Sequence, residues 1–490
     1  MRKLSLQFAL GVLAPLSLSL EAFDYKLSGF ANQAATIGFN QDQVNRSKGL
    51  YPMQQYATIA GYLALDFNLL PKTLTGQSLK GSIGGMVAGV LYDGTKHFQG
   101  GSVVYQNFGY YDGFLGGGAD VLQSDSITTK NRKMTNYAHD YIFSDAYLEY
   151  DYKNFFGIKA GRYRSFAPYK SAQTEGFEVY GQFKHVRLWW FSSWGRAFST
   201  GALVRDWYAA RVSYSGGYYQ NSNGGWSPRG HKVAYGTHAI QLTYKKHHLL
   251  AEGFFYFSPK MFNAPGLRIG WDSNPNFQGL GFRSNTEITA FFPIYYPWMV
   301  VGANGARIYR YDNPATPNGQ SLIIRQRFDF NQFFILGTFY KNFRNVNAYI
   351  GNTGNPAGVE LYSNSLWAGY AGTALKADAI TGSLVYGGTH FKKKFTWRMT
   401  WQWSSAPVSY EGRVILSVIY QVTPWLKMLV DLAYYGLHTN KGYQAGLNGP
   451  CNPQKTYCGG NYQDRSHRFF LGIIIIFLVT LSSILVYYFL

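Results

Sequence analysis

The stretch Phe395-Thr396-Trp397-Arg398-Met399-Thr400-Trp401-Gln402-Trp403 is apolar at every odd position and polar at every even one. A strand sends such alternating side chains to opposite faces, whereas a helix would scatter the five large apolar groups around its circumference. The segment therefore predicts a β-strand with one apolar face and one wet face. The same period recurs in Ala146, Leu148, Tyr150 and Tyr152 set against Tyr147, Glu149, Asp151 and Lys153. It recurs again in Phe177, Val179, Gly181 and Phe183 against Glu178, Tyr180, Gln182 and Lys184.

Short connections join these strands at one end. Lys153-Asn154-Phe155 leads into Phe156, Ile158 and Ala160, the Lys245-to-His247 step precedes Leu249–Phe257, and Asn331 separates Leu322–Phe330 from Gln332–Tyr340. Thr423-Pro424-Trp425 interrupts one further alternating run, and Pro424 suits a turn but not a central strand. The other strand ends carry long segments rich in Gly, Tyr, Asn and Ser: Leu91–Asp140, Gly216–Lys232, Asn304–Ser321, Asn342–Leu361 and Leu437–Gln463. Short turns on one side and long loops on the other are the asymmetry of an outer-membrane β-barrel. Trp189, Trp190, Trp207, Trp298, Trp397, Trp403 and Trp425 fit interfacial girdles, where an amphipathic ring sits between lipid and water.

Composition agrees. The chain has 490 residues, of which 14% are charged, against about 25% in soluble globular proteins. Its 41 Tyr, 36 Phe, 12 Trp and 55 Gly accompany a mean hydropathy of −0.18, which excludes both a helical transporter and a disordered tail. Between Phe23 and Arg468 no apolar run approaches the ~18 residues of a membrane helix. The expected fold is all-β, a transmembrane antiparallel barrel of about 16 to 18 strands. A barrel of that size leaves an aqueous lumen unless something occupies it. Leu91–Asp140 is the candidate for an infolded obstruction, with an ordinary outward loop as the other reading.

Three regions are expected. Arg2 and Lys3 precede the apolar stretch Leu4–Leu20, and Leu20-Glu21-Ala22 offers a small residue for cleavage, so residues 1–22 read as a signal peptide. Residues 23–468 form the barrel. Residues 469–490 are apolar, include Ile473-Ile474-Ile475-Ile476 and do not alternate. They read as a closing strand over Ser466–Phe477 with a tail, as a helix of about 33 Å, or as an end translated in a shifted frame.

Parity places Lys159, Arg187, Arg211, Arg325, Arg327, Arg398, Arg413 and Lys427 on the polar faces of their strands, which should point into the lumen. An Arg facing lipid at mid-membrane would cost about 2–4 kcal/mol. Glu149, Asp151, Glu178, Glu252, Asp329 and Asp431 share the interior, and Gln326 alone is turned outward against the pattern. Facing acidic and basic groups create a transverse field across a pore. Taken singly, each Arg reads as the partner of an interior carboxylate or of lipopolysaccharide phosphate at the rim. As a set, they give a basic-leaning lumen that admits small hydrophilic, anionic or carboxylate-bearing solutes by passive diffusion.

Catalytic signatures are missing: the ten histidines form no HExxH pattern, and neither a P-loop nor a nucleophile elbow is present. No enzyme activity, cofactor or metal is expected, and His247-His248 reads as a solvated turn. In an exported chain Cys451 and Cys458 read as a disulfide stiffening a surface loop.

From Phe23-Asp24-Tyr25-Lys26-Leu27-Ser28-Gly29-Phe30 to the loop before Arg468, the chain resembles the Helicobacter outer-membrane protein family abbreviated Hof. Ile158-Lys159-Ala160-Gly161-Arg162, followed by Gln173-Thr174-Glu175-Gly176-Phe177, is similar to a stretch of the outer-membrane porin D family, although its Gln-Thr-Glu-Gly run is one residue shorter. That resemblance implies an 18-stranded monomeric barrel with a ladder of basic residues, and it adds Arg162 to the pore-lining set. The partners expected are outer-membrane lipids, lipopolysaccharide and small solutes, with no nucleic acid. A second reading makes the barrel an anchor whose long loops bind host surface ligands.

Overall fold

The computed structural model describes residues 24–38, 56–71, 74–93, 141–200, 203–209, 212–224, 226–296, 319–344, 373–375, 378–407, 409–440 and 462–475. The strands β1 (Asp24–Gly38), β2 (Tyr56–Asn68), β3 (Gln77–Asp93), β4 (Tyr141–Tyr152), β5 (Phe156–Ala167), β6 (Lys170–Phe183) and β7 (Val186–Thr200) follow one another round a wall, each antiparallel to the last. β8 (Leu203–Ala209) folds back on β7, and β9 (Val212–Tyr214), β10 (Tyr218–Gln220), β11 (Trp226–Pro228) and β12 (Lys232–Ala234) form a ribbon apart from the wall. The wall resumes with β13 (Thr237–Lys246), β14 (Leu249–Ser258), β15 (Phe262–Asp272) and β16 (Phe282–Phe291), the short β17 (Ile294–Tyr295) lying on β15. It continues through β18 (Gly319–Phe330), β19 (Phe333–Arg344), β20 (Ile380–His390), β21 (Phe395–Ala406), β22 (Ser409–Gln421), β23 (Leu426–Thr439) and β24 (Tyr462–Ile475).

β24 pairs with β23 on one side and with β1 on the other, so the sheet closes. Setting β8 and β17 aside, the 20-stranded sheet leaves eighteen wall strands, all antiparallel. The ladder of β24 runs on past Arg468, with Ile475 paired to both Leu426 and Ala31, so Phe469–Ile475 are wall. Residues 1–22 and 476–490 lie outside the described residues.

The short connections follow local backbone chemistry. Lys153 and Asn154 have φ of 50° and 54°, Lys184 has 51°, His247 49° and Asn331 50°, the left-handed values that tight hairpins demand. The Asn331 side chain also accepts a hydrogen bond from Gly281 N at 2.8 Å.

The wall is apolar on its outer face. Leu267, Ile269 and Trp271 on β15 and Trp401 and Trp403 on β21 are exposed, while Arg268 and Gln402 between them turn the other way. The buried apolar core therefore lies inside the barrel. Beyond Gly161 β5 parts from β4, whose pairing ends at Ala146 and Arg162, while the β5–β6 ladder continues to Ala167 and Lys170. Gly161 has φ of 123°, and a Cβ there would stand 2.2 Å from the Ala146 carbonyl oxygen. The freed hairpin tip sets Tyr169 against Phe254, Tyr256 and Phe291 on the inward faces of β14 and β16, with ring centroids 5.6, 5.3 and 4.3 Å apart.

A second hairpin folds inward beside it. Pairing of β7 with β13 ends at Ser193 and Thr237, and past the bulge at Trp194 β7 takes β8 as its neighbour. This carries Ala197 and Trp207 onto Ala60, Met86 and Ile142, inward residues of β2, β3 and β4. Trp207 Nε1 also donates to the Phe143 carbonyl at 2.9 Å. A Gly161→Ala substitution is expected to cost about 1–3 kcal/mol, the scale of a strained backbone, read by urea unfolding in lipid vesicles. Gly181→Ala, where a Cβ meets nothing within 4 Å, is the control that should change little.

Candidate functional site

Four arginines climb the inner wall from the short-turn end towards the infolded hairpins. Cross-strand register sets their order: Arg283 faces Asp329, Asn285 faces Arg327, Glu287 faces Arg325, and Thr289 faces Arg268. From Arg283 to Thr289 the rise along β16 is about 20 Å at the usual spacing of a strand. Strand alternation puts all of them on one side, because Ile288, Ile324 and Phe328 between them are exposed on the other.

Every rung has a carboxylate. Arg283 grips Asp272 through Nε at 2.9 Å and Nη2 at 2.5 Å, and its Nη1 stands 3.7 Å from Asp329. Arg327 holds Asp329 through Nε at 2.9 Å and Nη2 at 2.6 Å, with its guanidinium 4.3 Å from the Phe334 ring. Arg325 lies 3.7 Å from Glu287. Arg268 donates to Glu252 at 2.9 Å, and the same carboxylate accepts from Gln241 at 2.6 Å and Thr243 at 3.1 Å. Glu252 is 5% exposed, and these three donors stand where burial has removed water.

The remaining expected residues divide by arc. On the β4–β7 arc Lys159 pairs with Glu149 at 3.1 Å and lies 4.1 Å from the Tyr147 ring. Tyr180 donates its hydroxyl to Asp151, and Arg187 stacks on the Tyr180 ring at 4.1 Å. Glu178 accepts from Trp189 Nε1 at 3.0 Å. On the β21–β23 arc Arg413 reaches Gln402 at 3.4 Å, Arg398 is exposed on the inward face opposite buried Ser417, and Lys427 and Asp431 share the inward face of β23.

Arg162 is out of phase with Lys159 and Tyr163 on β5, and stacks on Trp207 of the infolded β7–β8 hairpin at 4.8 Å, with Glu175 3.6 Å away. Two expectations need correction. Trp189 and Trp207 are not girdle residues: Trp189 is inward and packs against Phe191, and Trp207 belongs to the inner core. The infolded segments described are the β5–β6 and β7–β8 hairpins, whereas residues 94–140 lie outside the described residues, as do Arg211, Trp298, Cys451 and Cys458. Gln326 does turn outward, but it is not bare. Its amide donates to Ser284 Oγ at 3.0 Å and its carbonyl accepts from Thr286 Oγ1 at 2.5 Å.

Arg268 and Arg283 were missed by the parity argument, though Leu267-Arg268-Ile269-Gly270-Trp271-Asp272 carries the same alternation. The acidic members Asp66 and Asp145 were missed too: Asp66 accepts from Ser28 at 2.7 Å, and Asp145 from Tyr62 at 3.0 Å. No sequence signal distinguishes Tyr169, whose role depends on where its hairpin bends. Among the described residues no cluster of His, Cys, Asp and Glu could hold a metal ion, and no helix is long and apolar enough to cross a membrane.

A family described as "Putative outer membrane protein" matches residues 10–477. No curated protein matches the chain. Among solved structures, the chain is similar to OccAB1 of Acinetobacter baumannii, with 11% identity, a TM-score of 0.55, and coverage of 93% of this chain and 97% of that one. It is also similar to OccK9 (OpdG) of Pseudomonas aeruginosa, at 10% identity and a TM-score of 0.57 over 92% and 98% of the two chains. A third is OpdK of Pseudomonas aeruginosa with vanillate, at 10% identity and a TM-score of 0.53 over 92% and 98%. Truncating Tyr169 to Ala removes the ring that anchors the β5–β6 hairpin to the wall. It is expected to raise open-channel conductance and its noise in planar bilayers, whereas Tyr169→Phe keeps the packing and the parent trace.

Proposed function

Because the chain belongs to this Helicobacter family of outer-membrane proteins, we propose that its barrel is a porin through which small hydrophilic, carboxylate-bearing solutes diffuse passively. The observation that carries the reading is the arginine ladder of Arg283, Arg327, Arg325 and Arg268, which leads from the short-turn mouth to the aromatic cluster around Tyr169. A guanidinium has five donors in a fixed fork, and one carboxylate engages only some of them. A passing carboxylate shares each fork with the wall carboxylate and moves to the next rung without facing bulk-like desolvation. Conduction needs sites strong enough to admit the solute and weak enough to release it, and paired arginines supply that intermediate strength.

Arg398, Arg413 and Lys427 on the β21–β23 arc extend the basic side of the interior beyond the ladder. The acidic groups of the β2–β6 arc, Asp66, Asp145, Glu149, Asp151 and Glu178, stand apart from them round the ring and give the transverse field. The solved OpdK complex holds vanillate, an aromatic carboxylate, in a barrel of the same fold, which supports this class of solute. Passage of this kind requires neither a cofactor nor a chemical step.

Under a salt gradient in a planar bilayer, the folded protein is expected to show discrete conductance steps with anion preference. Arg325→Glu, Arg327→Glu and Arg398→Glu together should lower the anion-to-cation permeability ratio several-fold and move the reversal potential towards the cation limit. An unchanged reversal potential would place these arginines away from the conducting path.

A further inference from the structure

The short turns carry a charge that the permeation pathway does not use. Lys153, Lys184, Lys245, Lys246, Lys392 and Lys393 all sit in or beside these turns, and all are exposed. His185, His247 and His248 stand among them, and Lys394 extends the run. None of the six forms an ion pair among the described residues. The described turn residues include no carboxylate; Asp151, Asp272 and Asp329 beside them face inward and are held by Tyr180, Arg283 and Arg327, and Asp24 is exposed at the start of β1, opposite Asn68.

The lysines also share a height with exposed aromatic rings. Phe155, Phe183 and Phe391 lie in or beside the same turns and are 53%, 65% and 72% exposed. Lys153 Nζ stands 5.5 Å from the Tyr152 ring, and Lys184 Nζ stands 5.3 Å from the Phe183 ring. Tyr152 and Phe183 are outward residues of β4 and β6. Two of these ammonium groups therefore sit on the lipid side of the wall rather than over its mouth. An aromatic ring marks the boundary between acyl chains and headgroups, and a lysine beside it extends its ammonium to the headgroup level.

We propose that the short-turn rim is a collar that binds the phosphates of anionic phospholipids in the adjoining leaflet, phosphatidylglycerol being the simplest such lipid. The wall's apolar band and aromatic rings fix the depth, and the lysines supply charge where lipid phosphates lie. A basic residue near an anionic membrane surface contributes on the order of 1 kcal/mol, so several of them acting on neighbouring lipids select anionic from neutral headgroups. A soluble acidic partner would be met by lysines pointing away from the membrane, and the rings beneath Lys153 and Lys184 place these two against it.

The test uses the full barrel folded into vesicles of phosphatidylcholine containing increasing brominated phosphatidylglycerol, with quenching of its own tryptophan fluorescence as the readout. Trp271 and Trp425 are exposed near this rim and report the adjoining lipid. The expected result is a several-fold preference for phosphatidylglycerol over phosphatidylcholine at low salt, falling towards equality at 1 M salt, where screening reaches about 3 Å. Lys153→Asn, Lys184→Asn, Lys392→Asn and Lys393→Asn together should cut the preference by at least half while conductance in phosphatidylcholine is kept, Lys245 and Lys246 holding the remainder. Asparagine tolerates the positive φ of all four positions, and the salt series on the parent protein needs no variant at all. Equal quenching by both lipids in the parent overturns the proposal, and so does a preference that the substitutions leave undiminished. Binding of soluble polyglutamate by the parent without any preference for phosphatidylglycerol assigns the collar to an acidic soluble partner and likewise overturns it.

Discussion

A hydrocarbon environment offers backbone N–H and C=O groups no partner, so a sheet that crosses it must leave no edge. The pairing of β24 with β1 meets that requirement, and the rest of the molecule depends on it. Once the wall is closed, alternation along each strand acquires a meaning: one parity meets lipid and the other meets the interior. Exposed Leu63, Leu267 and Trp401 are then placed where they stabilise the protein, although in water they would drive aggregation. Closure also explains why a chain with so few charges gathers its arginines in the middle of its own volume, where carboxylates on neighbouring strands can reach them.

The alternating code was legible at once because strand parity is a local property. Phe395–Trp403 falls wholly within β21, and the assigned faces of Gln402 and Trp403 follow from spacing alone. Lys159, Arg187, Arg325 and Arg327 were legible for the same reason. Pairing was not, because the partner of Arg325 is set by register between β16 and β18 across a long connection. The inward hairpins were least legible. Tyr169 lies in the short turn between β5 and β6, and only the parting of β5 from β4 at Gly161 decides that its ring meets Phe291 rather than the membrane boundary. Past the same point parity no longer separates lipid from interior, and Arg162, on the other face of β5 from Tyr163, meets Trp207 of the second infolded hairpin.

Gln326 shows what the membrane tolerates. An amide facing lipid is costly when its groups are bare, yet Ser284 and Thr286 on the neighbouring strand complete its hydrogen bonds. The three side chains amount to one neutral, internally satisfied unit, and a break in the sequence pattern becomes a small perturbation in the structure.

The two hairpins that enter the barrel are held by apolar and aromatic packing, Tyr169 on one stretch of wall and Trp207 with Ala197 on another, while the charges lie on the strands themselves. Aperture and charge are thus written into different parts of the chain. Dispersion and burial, which set the aperture, are nearly indifferent to ionic strength, whereas the field of the arginines is screened by it. Exchanging rungs of the ladder would therefore change the field inside the barrel and leave the packed hairpins where they stand.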